Sequence, residues 1–308
     1  MVAPVTNHKS AGHAALEVEL VCCESAVTSA RATSPMKLLT PRSRGTSVWA
    51  CTSSFGGGLV AGDETRLDVS LGENARCFLG TQASTKVYRN PAARPCGHET
   101  HATLHSGSTL IFAPDPVQAF AGSSYRQKQT FDLAPTASLA LVDWMSSGRA
   151  ACGERWAFND FQSRNEVWRA ETLPAERGSV TRSSFEQEDA LRLTEPRSGE
   201  KPIFVDSLTL DPADGDLAAQ HRTGRFNCFA MLLLLGPKLR DVAQKLLAEA
   251  GAAPVSRQSP LVFSASPIAD GAVLRIAGEH VEAVGREIHN HLAPVSELLG
   301  DDPWARKW

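Results

Sequence analysis

The stretch Tyr125-Arg126-Gln127-Lys128-Gln129-Thr130-Phe131-Asp132-Leu133 places Arg126, Lys128, Thr130 and Asp132 on alternate positions. Successive side chains of an extended chain point to opposite faces, so this period of two predicts a strand with one side toward water. The same period continues outward from it. Leu16, Val18 and Leu20 alternate with Glu17 and Glu19, and Leu67, Val69 and Leu71 alternate with Arg66, Asp68 and Ser70. Further strand-like runs cover residues 75–81, 101–105, 110–112, 139–144, 156–168, 191–193 and 203–210. Turn-forming residues separate them at 56–58, 71–74, 90–95, 105–108 and 122–124.

Only the last quarter of the chain changes period. Leu239, Val242, Leu246 and Leu247 recur at helical spacing between Pro237 and Gly251, which act as start and stop signals. A second helix is expected from about Glu279, with Val281, Val284, Ile288 and Leu292 on one face and Pro294 ending or kinking it. Short strands at 261–263 and 272–276 lie between the two helices. Residues 171–200, rich in charge, Ser and Gly, read as a surface excursion, and no internal repeat is visible. The expectation is a mainly β single domain over residues 16–308 with two helices near the C-terminus. Residues 1–15 form a poorly ordered N-terminal extension in this reading.

Composition narrows the function classes. With 308 residues, 42% of them hydrophobic, the chain can bury a sizeable core. A net charge of −3 argues against a nucleic-acid binder working through a broad basic surface. The apolar run at 226–235 is about half the ~20 residues that span a bilayer, so it reads as a buried core segment and no membrane association is expected. The N-terminus carries no secretory or organellar signal pattern, and seven irregularly spaced cysteines do not form a disulfide framework. Both point to the cytoplasm.

Most chemical-looking motifs fail on context. Residues 56–61 fit a dinucleotide fingerprint, but that fingerprint needs a helix next, and a strand follows. No P-loop and no nucleophile elbow is present, so no catalytic residue is assigned. Cys96, His98, His101 and His105 form the densest set of possible metal ligands. On a strand, however, His101 and His105 stand roughly 13 Å apart, too far to close on one ion. No stable metal site is expected. A metallohydrolase built on that cluster is the rival reading, and it would require stoichiometric metal.

Two carboxylates are more informative. Period two puts Asp143 on the face of Leu139 and Leu141, and Asp206 on the face of Phe204, Leu208 and Leu210. A carboxylate on an apolar face costs several kcal/mol unless paired, hydrated or holding a cation. Arg149 or Arg155 would serve as a structural partner. The alternative is that these acids line a polar passage inside the β body.

The segment Thr81-Gln82-Ala83-Ser84-Thr85-Lys86-Val87-Tyr88-Arg89 is similar to the signature of the UreD (UreH) family of urease accessory proteins. Upstream, Gly57-Gly58-Leu59-Val60-Ala61-Gly62-Asp63 matches that family's Gly-Asp turn. Downstream, Gly148-Arg149 followed by Gly153-Glu154 matches its Gly-Arg and Gly-Glu pair, and Glu166-Val167-Trp168 extends the match. The resemblance implies a stacked-strand, β-helix-like fold and a non-enzymatic chaperone role. It implies three partners: a UreF-type helical accessory protein, a UreG-type GTPase reached through it, and apo-urease. It also implies transient Ni(II) passing along an internal, acid-lined, water-filled path, with no stably bound cofactor. Asp63, Asp143 and Asp206 are the candidates for that path. The motif residues Gly57, Gly58, Gly62, Thr81, Gln82, Thr85, Lys86, Tyr88, Arg89, Gly148, Arg149, Gly153 and Glu154 are assigned to structure or interface. Carboxylates suit a moving ion, because a Cys/His cage would trap nickel. The alternative is a β scaffold for protein assembly that handles no metal.

Overall fold

A computed structural model describes residues 12–91, 94–169, 201–254 and 256–306. Two strands open it, β1 (Gly12–Val21) and β2 (Glu24–Ala32), followed by β3 (Met36–Leu39). The chain then winds in coils. β4 (Val48–Ser54), β5 (Gly58–Leu59) and β6 (Glu64–Leu71) make the first, and β7 (Arg76–Thr81), β8 (Thr85–Val87) and β9 (Cys96–Leu104) the second. β10 (Thr109–Phe112), β11 (Val117–Ala119) and β12 (Ser124–Leu133) make the third, and β13 (Ser138–Ser146) and β14 (Asp160–Arg169) begin a fourth. After β15 (Phe204–Leu210) and β16 (Cys228–Leu235) come α1 (Arg240–Ala252), β17 (Leu261–Ile268), β18 (Gly271–Gly278), α2 (Val281–Leu292) and α3 (Val295–Leu299).

Each coil sends one strand to each of two facing sheets. The first sheet runs β15-β14-β12-β9-β6-β1-β2, and the second runs β17-β18-β16-β13-β10-β7-β4-β3. Pairing along the coil stack is parallel, and antiparallel strands finish both ends. Short β5, β8 and β11 stack in parallel on a third side. This is the stacked-strand, β-helix-like arrangement that the family resemblance implies. The coils repeat in shape although no repeat shows in the sequence. Their turns are held by backbone hydrogen bonds such as His105 N–H to Leu71 O and Ala134 N–H to Leu104 O, which any residue can make.

Stacking places like beside like. Val48, Cys77, Leu110 and Leu139 follow one another in register up the second sheet. Leu16, Val69, Ala102, Phe131 and Val167 do so across the first. All nine are buried in one cluster between the sheets. The helices cover the outer face of the second sheet, where Ile111, Val142, Leu232, Leu234 and Leu274 meet Leu246, Ile288 and Leu292. Burial on both faces accounts for the apolar run at 226–235, whose residues 228–235 form β16.

Several boundaries differ from the sequence reading. β1 begins at Gly12, inside the expected N-terminal extension, because Ala14 continues the buried side of Leu16 and Val18. Trp156 has φ +55° and sits in a turn, so the strand expected over 156–168 begins only at Asp160. Pro294 caps a third helix, the short α3. Residues 171–200, with the strand expected at 191–193, lie outside the described residues.

Candidate functional site

The apolar interior is interrupted by two polar rungs. Across the inner face of the first sheet, Thr65, His98, Gln127 and Ser163 lie side by side on β6, β9, β12 and β14. In the next rung, Thr100, Gln129 and Asn165 are followed by Asp206 on β15. Tyr125 and Phe161 stack on one side of these rungs, with ring centroids 5.5 Å apart, and the aliphatic cluster fills the other. The second sheet contributes Asp143 from β13. A cavity of about 110 Å³ opens here, with His98, Tyr125, Gln127, Gln129 and Asp143 in its wall. That is room for several water molecules, and the polar lining favours them.

Asp143 is held by neutral donors. Its Oδ1 accepts from Gln127 Nε2 at 2.9 Å, and its Oδ2 from Ser163 Oγ at 2.6 Å and Asn165 Nδ2 at 2.7 Å. Gln127 is fixed in turn, its Oε1 accepting from the Tyr125 hydroxyl at 3.1 Å. Burial pushes the Asp143 carboxyl above the usual carboxylate range, and the negative charge of Asp206 adds to the rise; the three hydrogen bonds oppose it. The expected partners Arg149 and Arg155 are elsewhere. Arg149 pairs with Glu154, and Arg155 binds the Phe226 carbonyl at 3.0 Å. Both belong to the loops beyond β13, past the reach of its inward face.

Asp206 is ion-paired. Arg275 on β18 crosses from the second sheet, placing Nη2 2.5 Å from Asp206 Oδ1. Register explains the meeting. Asp143 faces Met231 on β16, Met231 faces Arg275, and Asp206 faces Asn165, so two cross-sheet bridges lie in one layer. Asp63 is a turn residue, its Oδ2 accepting from the Val60 amide at 2.9 Å, and neither it nor Asp206 is among the residues lining the cavity.

His98 also faces this cavity. Its Nδ1 lies 2.8 Å from Thr65 Oγ1 and its Nε2 3.1 Å from Thr100 Oγ1. Burial pushes its pKa down to about 4, so the ring is neutral near pH 7. His101 points to the opposite face, with Nε2 2.8 Å from the buried Asp132. Cys96 donates its thiol to the Val60 carbonyl at 3.1 Å. The Cys96, His98, His101 and His105 set is therefore dispersed, and among the described residues no group of three or more His, Cys, Asp or Glu is placed to hold a metal ion.

The sequence motifs converge in space. Thr81, Thr85 and Gly57 line the cavity, and Thr81 Oγ1 donates to Asp115 Oδ2 at 3.1 Å. Gln82 N–H is bonded to Thr52 O and Tyr88 N–H to Leu59 O, tying the 81–89 segment to the first coil. A Cβ on Gly58 would collide with Lys86 and Tyr88, so the two upstream motifs pack against each other directly. The Tyr88 ring meets Phe120 edge-on at 5.6 Å, and the Arg149 guanidinium lies 5.2 Å from the Phe120 centroid. Arg89 flanks Gly122, Gly62 bonds the Arg94 carbonyl, and Gly153 closes the turn between Arg149 and Glu154. Of these segments, Gly57, Thr81 and residues 83–85 reach the cavity, while Tyr88, Phe120 and Arg149 are not among its lining residues.

The family model described as UreD urease accessory protein matches residues 10–308. The chain belongs to this family. A Urease accessory protein UreD of Sorangium cellulosum is 41% identical over 97% of this chain and 85% of its own length. One from Anaeromyxobacter sp. is 35% identical over 96% of this chain and 89% of its own. The Urease accessory protein D of Oryza sativa subsp. indica is 29% identical over 96% of both chains. Membership in the family gives the chain a role in urease maturation. Among the described residues, no helix is long and apolar enough to cross a membrane.

Proposed function

We propose that this protein is a non-catalytic, cytoplasmic chaperone that supports nickel insertion into apo-urease by letting Ni(II) pass through the polar layer between its sheets. UreF-type and UreG-type proteins are the partners in this reading, the GTPase being reached through the helical accessory protein. The observation that carries it is Asp143. It is a carboxylate on an apolar strand face, beside a cavity with room for several water molecules, held by three neutral donors. A divalent cation would offset the cost of its partial burial. Oxygen ligands hold nickel loosely enough to release it. Asp206 lies in the same layer, its charge matched by Arg275, and Asp63 serves the turn that supports the wall.

Reconstitution of apo-urease with the accessory proteins tests this reading. Asp143→Ala with Asp206→Ala is expected to lower urease nickel content severalfold while the accessory complex still forms. Normal nickel loading from an intact double-variant complex would leave only the scaffold role.

A further inference from the structure

A second pocket, of about 360 Å³, opens where the coil turns meet the start of β2, and its lining differs throughout from that of the first cavity. Arg76, Lys238, Asn74, Ser25 and Thr46 contribute to it, and no carboxylate does. Arg76 Nη1 donates to the Leu298 carbonyl at 2.9 Å, and Lys238 Nζ donates to the Gly107 carbonyl. Neither cation forms an ion pair with a described residue, and each keeps N–H donors beyond the one it uses. Burial, and after it the positive charge of Arg76, push the Lys238 ammonium below its ordinary value.

The surroundings add donors. Ser25 Oγ accepts from the Arg76 amide at 2.8 Å, which leaves its own hydrogen to give. Two cations of different geometry, a planar fork and a point charge, suit a ligand with several acceptor oxygens. We propose that this pocket binds an oxyanion of the phosphate class between Arg76 and Lys238, either free or as the phosphoryl group of a small molecule. The proposal is independent of the nickel reading.

Calorimetric titration of the full-length chain with inorganic phosphate and with glycerol phosphate, at low ionic strength and against matched sodium chloride, tests it. Saturable binding is expected, weakened at least tenfold in Lys238→Met and in Arg76→Met, and weakened by added salt. Binding of both probes identifies a phosphoryl site, and binding of inorganic phosphate alone a free-ion site. Arg76→Met also removes the cap on Leu298, so Arg76→Lys, which keeps the charge, is the companion variant and is expected to retain measurable binding. No uptake of either probe at millimolar concentration, or unchanged affinity in folded Lys238→Met, would overturn the proposal.

Discussion

Arg275 on β18 reaches over to Asp206 on β15, Nη2 to Oδ1 at 2.5 Å, and joins the two sheets at the end of a polar rung. The carboxylate is nearly covered while the guanidinium is about half exposed, at 10% and 58% of their free surfaces. Removing the cation therefore strands a buried charge, whereas removing the acid returns a cation to solvent. Arg275→Met is expected to cost ~1–2 kcal/mol in urea denaturation and Asp206→Asn less, with the double variant less destabilised than the sum. Additive losses would mean that the pair is not coupled.

His98 sets a pH dependence. Its folded pKa of about 4 lies below the unfolded value near 6.5, so between them the unfolded chain binds more protons. Stability then falls as pH drops from about 6.5 toward 4, by at most ~1.4 kcal/mol per pH unit from this group. His98→Gln keeps hydrogen-bonding capacity and is expected to flatten that slope. Parallel denaturation midpoints for the two proteins at pH 7, 6, 5 and 4.5 would show it.

Asp143 separates stability from delivery. Because its folded pKa is raised, the charged form is disfavoured by folding at neutral pH, and Asp143→Asn relieves that cost. The amide variant is expected to melt at or above the parent temperature while delivering severalfold less nickel to urease. A variant that melts well below the parent would instead mark Asp143 as a structural acceptor.

Two glycines of the recognised motifs differ in what they tolerate. Gly148 has φ +79°, and a Cβ there would strike the Ala119 carbonyl; Gly153 has φ +79° with open space around it. Gly153→Ala is expected to cost ~1 kcal/mol, the left-handed strain alone, and Gly148→Ala distinctly more. Thermal melts of the two single variants make the comparison.

Parity made part of this legible in the sequence. Period two put Asp143 and Asp206 inside, which is where they lie. It also separates His98 from His101, an odd number of steps apart on β9 and so on opposite faces. Parity thus joins the roughly 13 Å separation of His101 and His105 as a second reason why this cluster does not close on one ion. Gln127 and Gln129, between Tyr125 and Phe131, were the available sign that β12 has a polar stretch on its buried side. Arg275 could not be matched to Asp206 in this way, since their meeting depends on which strands follow one another across two sheets. The coils stayed hidden for a related reason: backbone hydrogen bonds close their turns and require no shared side chains.

Parallel stacking also fixes the size of the interior in steps. Neighbouring strands lie ~4.8 Å apart, so each added coil lengthens the floor of the cavity by that amount and no smaller increment is available. In the proposed nickel reading, a cation carried farther than the coils of this chain extend would have to leave the fold through a side opening or continue inside a second molecule docked end to end with the stack. The length of the coil stack thus sets where such a docked molecule would have to take over.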